Sequence, residues 1–483
     1  MECLRTSLPM SFRVNFTLEK AHEVLAYLEK RLSEFFSPLR IPFFPQQMAI
    51  QCEVSRSDLK RNEEYKEVKK ILTAFSECGY VTRQETVSMI PPILLQVEPG
   101  HRVLDVCAAP GSKTSQILEY LMPSKDSGVL VANDLNASRL DVLNRQTNRA
   151  PHAHQHLIIT NYDATRFPIL PSEDKFDRVL CDVVCSGDGT LRKSLDMWPR
   201  WNTVQGADLH NVQIRMLLRG MANCKKGGIV VYSTCSLNPV EDEAVVSETL
   251  RKVGSSFCLM DIEHLLPGFQ TAPGLTSWDI TTKDLGTVLH NHAEALEYMK
   301  AQDGKGFQYK ASMFATEADL VQQNISYARR ILPHLQDSGG FFVAAFRCVE
   351  ELPDTPSEPE GDVSIAALSP EYAQKVKASL SLPDDFPLPN LIHRPSASRE
   401  QKIYYAVPPV IELAAKLGKR VIHVGSKVFE SFIKYSDTKL RFCEDGIGSL
   451  PYILPSSFVV PCNQPYSTSL PGINQWHTAH LRS

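Results

Sequence analysis

What the 483-residue chain lacks narrows its class first. No two of its 12 cysteines form a C-x-x-C pair, and the opening residues carry no signal-peptide pattern. The thiols therefore read as reduced side chains of an intracellular protein, not as a disulfide frame or a zinc finger. No apolar run is long enough to cross a bilayer, so no membrane contact is expected. Charge of one sign is not in excess: 51 Lys and Arg face 55 Asp and Glu, net -4, so nucleic-acid contact must come from local basic patches. No internal repeat is visible.

Two phosphate-binding signatures are missing as well, at the stretch where they would matter most. Val103 to Thr114 reads as a buried strand, a tight turn forced by Pro110 and Gly111, and the first turn of a helix that continues to Leu121. A P-loop needs glycine where Cys107 and Ser112 stand, which argues against ATP. The fingerprint G-x-G-x-x-G is absent too, since Gly111 is the only glycine in the turn and leaves little room for a pyrophosphate. S-adenosylmethionine, with a ribose and a carboxylate but no phosphate, fits Cys107-Ala108-Ala109-Pro110-Gly111-Ser112-Lys113 better, on the unpaired N–H groups of the following helix. Asp134 ends the next strand about 20 residues on, where a carboxylate grips ribose hydroxyls. Asp163, at a later strand end, is the candidate for the adenine side, and Asp182 is the third acid in register. Any one of them taken alone reads equally well as a cap or turn residue.

What is present is 43% hydrophobic composition, enough for a large core in two or three domains. Residues 1–81 read as a small α+β domain, with a strand from Ser11 and a helical face from Leu18 to Phe36. A strand so close to Met1 suggests a missing upstream segment. Residues 82–349 alternate strands and helices: Val103–Val106, Val129–Ala132, Leu157–Ile159, Arg178–Cys181, Gly228–Tyr232 and Phe341–Phe346. This is the pattern of an α/β, doubly wound, mostly parallel sheet. Gly339-Gly340 marks a hairpin that makes the final strand antiparallel. Between Met260 and Ser338 lies a turn-rich insertion of the size that often faces a substrate. An acidic, proline-rich linker follows at 350–363, then a small α+β domain at 364–462, also read as clipped, and a polar tail at 463–483.

Two further strand ends place a cysteine each on the edge of the ligand turn. Cys185 follows the strand that ends near Asp182, and Cys235 follows the strand from Gly228, so Asp182, Cys185 and Cys235 can converge on one crevice. Each cysteine alone reads more readily as a buried small hydrophobe; their joint placement with Asp182 reverses that. Other constellations weigh less. His152, His154 and His156 alternate without a carboxylate or cysteine beside them, so no metal is expected. Trp198 to Trp201 with Arg192 and Lys193 mixes aromatics and cations as single-strand binders do, although core packing explains the tryptophans equally well. Lys66 to Lys70 and Lys416 to Arg420 read as solvated helix faces.

The ordered motifs Arg83-Gln84-Glu85, Ser88-Met89-Ile90-Pro91-Pro92, Leu104 through Thr114, Ala132-Asn133-Asp134, Asp182 with Cys185-Ser186-Gly187-Asp188-Gly189-Thr190, Tyr232 through Pro239, Glu241-Asp242-Glu243-Ala244 and Gly339-Gly340-Phe341-Phe342 carry a resemblance. The chain resembles the Sun (NOL/NOP/Sun) family of RNA cytosine-C5 methyltransferases, most of all its eukaryotic tRNA-modifying branch. The resemblance implies a seven-stranded Rossmann-like methyltransferase sheet, S-adenosyl-L-methionine as cofactor, and tRNA, with other RNAs open, as partner. It further implies RNA-binding end domains, the C-terminal one PUA-like, no obligate protein partner, and a nuclear, nucleolar or cytoplasmic location. Cytosine C5 is a poor nucleophile, so a thiolate must add to C6 before C5 can accept a methyl group. By resemblance Cys235 is that nucleophile, Cys185 assists release, Asp182 meets the N3/N4 edge of the base, and Lys113 positions the thiol or lowers its pKa. One departure stands out: Val184 occupies the place of the family's proline. It favours RNA over DNA, whose cytosine methyltransferases use the cysteine of a Pro-Cys motif, and it leaves as alternative an RNA-binding scaffold with impaired turnover.

Overall fold

The structure is a computed structural model that describes residues 2–124, 127–149, 151–193, 195–283, 285–303, 306–353, 361, 365–393, 402–431, 440–443 and 446. Of the linker expected at 350–363, residues 354–360 and 362–363 lie outside the described residues, as does the tail expected at 463–483.

The central sheet is built from β1 (Arg102–Asp105), β2 (Val129–Asn133), β3 (Leu157–Thr160), β4 (Phe176–Asp182), β5 (Cys224–Thr234), β6 (Phe257–Leu259), β7 (Ala272–Pro273), β8 (Arg329–Ile331), β9 (Phe341–Cys348) and β10 (Val421–Val424). Its order is β7-β8-β9-β5-β4-β1-β2-β3-β10, with β6 pairing β9. The run from β5 through β3 is parallel. β9 returns antiparallel with Phe342 opposite Thr234, as the glycine pair before it requires. Beyond the seven strands expected, β6, β7 and β10 are short edge additions.

Alternate residues of each buried strand feed opposite cores, which makes the sheet doubly wound. Val103, Leu130, Ile159 and Leu180 pack with Ile117, Leu118 and Leu121 of α1 (Ser112–Leu121) and with Leu140 and Leu143 of α2 (Ala137–Thr147). Leu104, Val131, Ile158 and Val179 pack with Ile214, Leu217 and Met221 of α3 (Thr203–Ala222) and with Val245, Val246 and Leu250 of α4 (Glu243–Val253). Both faces are covered, which is why these strands read as unbroken apolar runs. Among the described residues no helix is long and apolar enough to cross a membrane.

The N-terminal segment forms a four-stranded antiparallel sheet, in spatial order Leu39–Arg40, Ala49–Ser55, Pro9–Val14 and Val81–Arg83. It is bolted to α1 by a buried ion pair between Arg13 and Glu119, and Arg13 Nε also donates to Gln84 Oε1 at 2.6 Å. The C-terminal segment, expected as a small α+β domain, is also joined to the central sheet. It has its own five-stranded sheet, but Val421–Val424 leaves that sheet to pair with β3, and the helix Pro408–Lys416 buries Val410 and Leu413 in the central core. The physical reason is the β3 edge, whose exposed N–H and C=O row is closed by a β-branched strand. The insertion between Met260 and Ser338 surrounds a small core of Ile280, Leu289, Ala295, Tyr309 and Met313 and borders a separate cavity of about 960 Å³.

Candidate active site

A cleft of about 700 Å³ opens at the carboxyl ends of β1 and β4, where an open α/β sheet places its ligands. One wall is the turn after β1. Gly111, at φ +107°, turns the chain into α1, and the left-handed conformation there favours glycine over any side chain. Ala108 N–H donates to Asn133 O at 2.8 Å and Ala109 N–H to Asp134 Oδ2 at 3.2 Å, so the turn is tied to the end of β2. Cys107, Ala108, Ala109, Pro110, Ser112, Lys113 and Asp182 line the cleft.

Gly111, Asp134 and Asp163 do not. Asp134 is spent on local bonds: besides Ala109 it accepts Asn136 N–H at 3.0 Å and faces Arg139 Nη1 at 3.4 Å. Asp163 Oδ1 accepts Thr165 N–H at 2.9 Å, capping a short turn outside the cleft. Short acidic side chains satisfy nearby backbone donors readily. The acid at the foot of the cleft is instead Asp105, unassigned in the sequence although it sits in the quoted motif. Its Oδ2 accepts Thr114 Oγ1–H at 2.8 Å, whereas Oδ1 is buried with no hydrogen-bond partner. Burial, aided by the nearby Asp182 charge and opposed by the Thr114 hydroxyl, pushes its pKa up to about 7.

The two cysteines do converge. Cys185 Sγ and Cys235 Sγ are 3.2 Å apart, both partly exposed. Their loops come from different strands and are fastened by backbone and carboxylates. Gly189 N–H donates to Cys235 O at 2.9 Å and Gly340 N–H to Gly189 O at 2.8 Å. A Cβ on Gly189 would lie 2.4 Å from Gly340 O, so only glycine allows this layering. Asp188 Oδ1 accepts Leu237 N–H at 2.7 Å. Glu241, fully buried, accepts Ser186 N–H at 2.8 Å, Gln213 Nε2–H at 3.0 Å and Ser236 Oγ–H at 2.8 Å. Val184, in the family's proline position, leaves these anchors in place: Val183 N–H donates to Ser233 O at 3.1 Å and Val184 O accepts Gln213 at 3.0 Å.

The pair is electrically unequal. Either sulfur can donate in this contact; with Cys185 as the S–H donor, donation to Cys235 followed by burial drives its pKa well above the ordinary thiol value. Cys235 is held below that value, first by the bond from Cys185 and then by Lys113 and Lys193, against burial and the Asp182 charge. Lys113 Nζ also bonds Asp182 Oδ2 at 2.7 Å and lies 5.3 Å from the centre of the Phe341 ring, while Ser233 Oγ–H donates to Asp182 Oδ1 at 2.7 Å. Asp182 is thereby fixed in orientation near Cys235.

Arg192, read in the sequence as a candidate nucleic-acid contact, is 4% exposed. Its guanidinium binds the carbonyls of Thr6, Ser7 and Ser338 and the Asp337 carboxylate, so it anchors the N-terminal arm. Lys193 does face the cleft, paired with Glu85. His154 bonds the Thr147 hydroxyl at 2.8 Å and His156 the Gly128 carbonyl at 3.1 Å.

Residues 92–265 match the family of the 16S rRNA methyltransferase RsmB/F. The chain belongs to the RsmB/F (Sun) family. Among relatives of this Sun-family chain, the multisite-specific tRNA:(cytosine-C(5))-methyltransferase of Saccharomyces cerevisiae is 38% identical over 374 residues, covering 73% of this chain and 52% of that protein. The tRNA (cytosine(34)-C(5))-methyltransferase of Drosophila melanogaster is 38% identical over 379 residues, covering 72% and 50%. The chain thus spans about half the length of these relatives. The crystal structure of NSun6 from Pyrococcus horikoshii with SFG superposes with a TM-score of 0.50 at 17% identity, over 72% of this chain and 93% of that one, a likeness of fold.

Proposed function

We propose that this Sun-family chain is an S-adenosylmethionine-dependent methyltransferase that forms 5-methylcytosine in tRNA, with Cys235 as nucleophile. The carrying observation is the meeting of two sulfurs, 3.2 Å apart, at the strand ends that also hold a carboxylate locked by Lys113 and Ser233. The cleft suits the cofactor: the unpartnered buried Oδ1 of Asp105 is an acceptor for a cationic amine, and a turn with one glycine accepts a ligand without a pyrophosphate. Asp105, Asp182 and the turn from Cys107 to Lys113 would hold it, with Asp134 acting through the turn it ties. When bound, it supplies a methyl group on a sulfonium. The protein's task is to make C5 of the base receptive. Cys235 Sγ forms a bond to C6 and the displaced electron pair builds up at C5, while Asp182 holds the N3/N4 edge. After methylation the C5 proton must leave and the S–C6 bond must break.

The geometry explains how Cys185 changes role. Its high pKa comes first from donating to the Cys235 sulfur. Once that sulfur is a neutral thioether, this cause is gone, so Cys185 can give its proton to solvent water; its thiolate then takes the C5 proton, the C5–H electron pair re-forms the C5=C6 bond, and the S–C6 bond breaks with its electrons returning to Cys235. The deciding experiment uses Cys185→Ala with a tRNA transcript and the cofactor. A covalent protein–RNA band on a denaturing gel, absent in Cys235→Ala, is expected. Methyl transfer that survives Cys235→Ala would refute the proposal.

A further inference from the structure

Three arginines at the mouth of the cleft have no part in the chemistry so far described. Arg83 ends the strand Val81–Arg83, Arg56 opens the helix Arg56–Arg61, and Arg149 lies just past the end of α2. They border one groove of about 410 Å³, together with Pro110 and Ser112 of the ligand turn. Arg56, Arg83, Pro110 and Ser112 also line the cleft itself, so the groove runs directly into it.

Among the described residues none of the three guanidiniums is paired with a carboxylate. Arg83 Nη2 reaches only the Thr73 hydroxyl at 3.4 Å, and Glu77, which borders the same groove, forms no ion pair with them. They also feel one another. Burial and then the charges of Arg56 and Arg149 push the Arg83 pKa down, and Arg56 likewise bears on Lys193, which in turn bears on Cys235. The groove thus gathers unpaired positive charge on a chain whose net charge is -4. Mutually repelling, unpaired cations converging on a concave surface are a site for a polyanion, and a guanidinium fork matches phosphate.

We propose that Arg56, Arg83 and Arg149 bind backbone phosphates of the RNA strand that flank the target cytosine, holding the strand while the base enters the cleft. This rests on the functional reading above and adds the path of the substrate. A base drawn out of its stack needs its neighbouring phosphates fixed, and unpaired arginines at the rim supply that without reading sequence.

The test measures binding of a fluorescent tRNA transcript and of a short single-stranded oligoribonucleotide to the full chain over a range of salt, and binding of the cofactor by calorimetry. Arg56→Ala, Arg83→Ala and Arg149→Ala combined should weaken RNA binding at least about tenfold and flatten the salt slope by ~2, at roughly 0.7 per lost phosphate contact. The triple Arg→Lys variant should keep the slope. Arg56→Ala and Arg149→Ala alone, both at exposed positions, should show the same trend should the triple variant fold poorly. Variants that bind RNA like the wild type, while the wild type methylates tRNA, overturn the groove and leave the function standing. Loss of cofactor affinity with RNA affinity kept would assign the arginines to the cofactor's carboxylate and equally overturn the groove. A wild-type protein that neither binds nor methylates tRNA sinks both.

Discussion

The Glu241 carboxylate, with no exposure to solvent, accepts the backbone N–H of Ser186 at 2.8 Å, and through it the loop bearing Cys185 is fixed to the loop bearing Cys235. The sulfur separation is thus set by a third residue, on the segment after β5, and not by the cysteines themselves. Glu241→Ala would strand Ser186 N–H and the Ser236 hydroxyl without their acceptor and leave Gln213 Nε2 only its bond to Val184 O. Each unsatisfied donor costs about 1–3 kcal/mol, and their overlap suggests a total of about 3–5 kcal/mol. Urea unfolding should show that loss, with Glu241→Gln milder, and tRNA methylation should fall further than cofactor binding. An unchanged unfolding midpoint would remove Glu241 from this role.

The unequal thiols predict an order of reaction. Because the pKa of Cys235 is lowered, its thiolate persists to lower pH than the ordinary thiol value of about 8.5, whereas Cys185 stays protonated beyond it. Iodoacetamide labelling read by mass spectrometry across pH should give Cys235 the lower midpoint. Cys185→Ala and Lys113→Met should each move that midpoint upward, the first by removing the chief donor and the second by removing a favourable charge. Faster labelling of Cys185 would exchange the two assignments.

Much of this was legible in the sequence, and the exceptions share a cause. Five parallel strands and the antiparallel return at Phe341 follow from β-branched runs and the Gly339-Gly340 break, which are local signals. The meeting of Cys185 and Cys235 follows from both loops leaving the same edge of the sheet. Asp134 and Asp163 each accept a backbone N–H, a bond that leaves no mark in the sequence, because a strand-end acid looks the same whether it faces a ligand or the backbone. Arg192 was misread because nothing in its neighbours reveals that the carbonyls of Thr6 and Ser338, far away in the chain, converge on it. The edge strand Val421–Val424 pairs with β3, which belongs to a distant part of the chain, and pairing at that distance leaves no periodic trace.

Asp105 predicts a pH dependence of stability. Its pKa is about 7 when folded and about 3.9 when unfolded, so the folded state holds the proton more tightly. The sign follows: stability is full below pH ~4 and declines as pH rises through 7, by an amount of order 4 kcal/mol for the intrinsic site. Asp105→Asn should therefore be stabilised relative to the wild type at pH 8 and lose most of that advantage at pH 4, in urea unfolding at the two values. Parallel curves for the two proteins would show that Asp105 ionises freely in the fold.

Arg192→Ala separates anchoring from RNA contact. The side chain is buried and its partners are three carbonyls, the Thr6 hydroxyl and one carboxylate, Asp337, which is itself 59% exposed, so the ion pair adds little and the neutral oxygens carry the interaction. Removing the guanidinium leaves those acceptors unsatisfied beneath the N-terminal arm, at about 3 kcal/mol. Proteolysis between the arm and the first helix should then accelerate and the urea midpoint should fall. The slope of RNA affinity against salt should stay where it was, because no phosphate contact is lost. Arg149→Ala is expected to do the reverse, flattening the slope while leaving the midpoint within about 0.5 kcal/mol, as an exposed substitution does. If Arg192→Ala flattened the slope as Arg149→Ala does, its burial would have to be released when RNA binds, and the arm it ties down would belong to the RNA-binding surface.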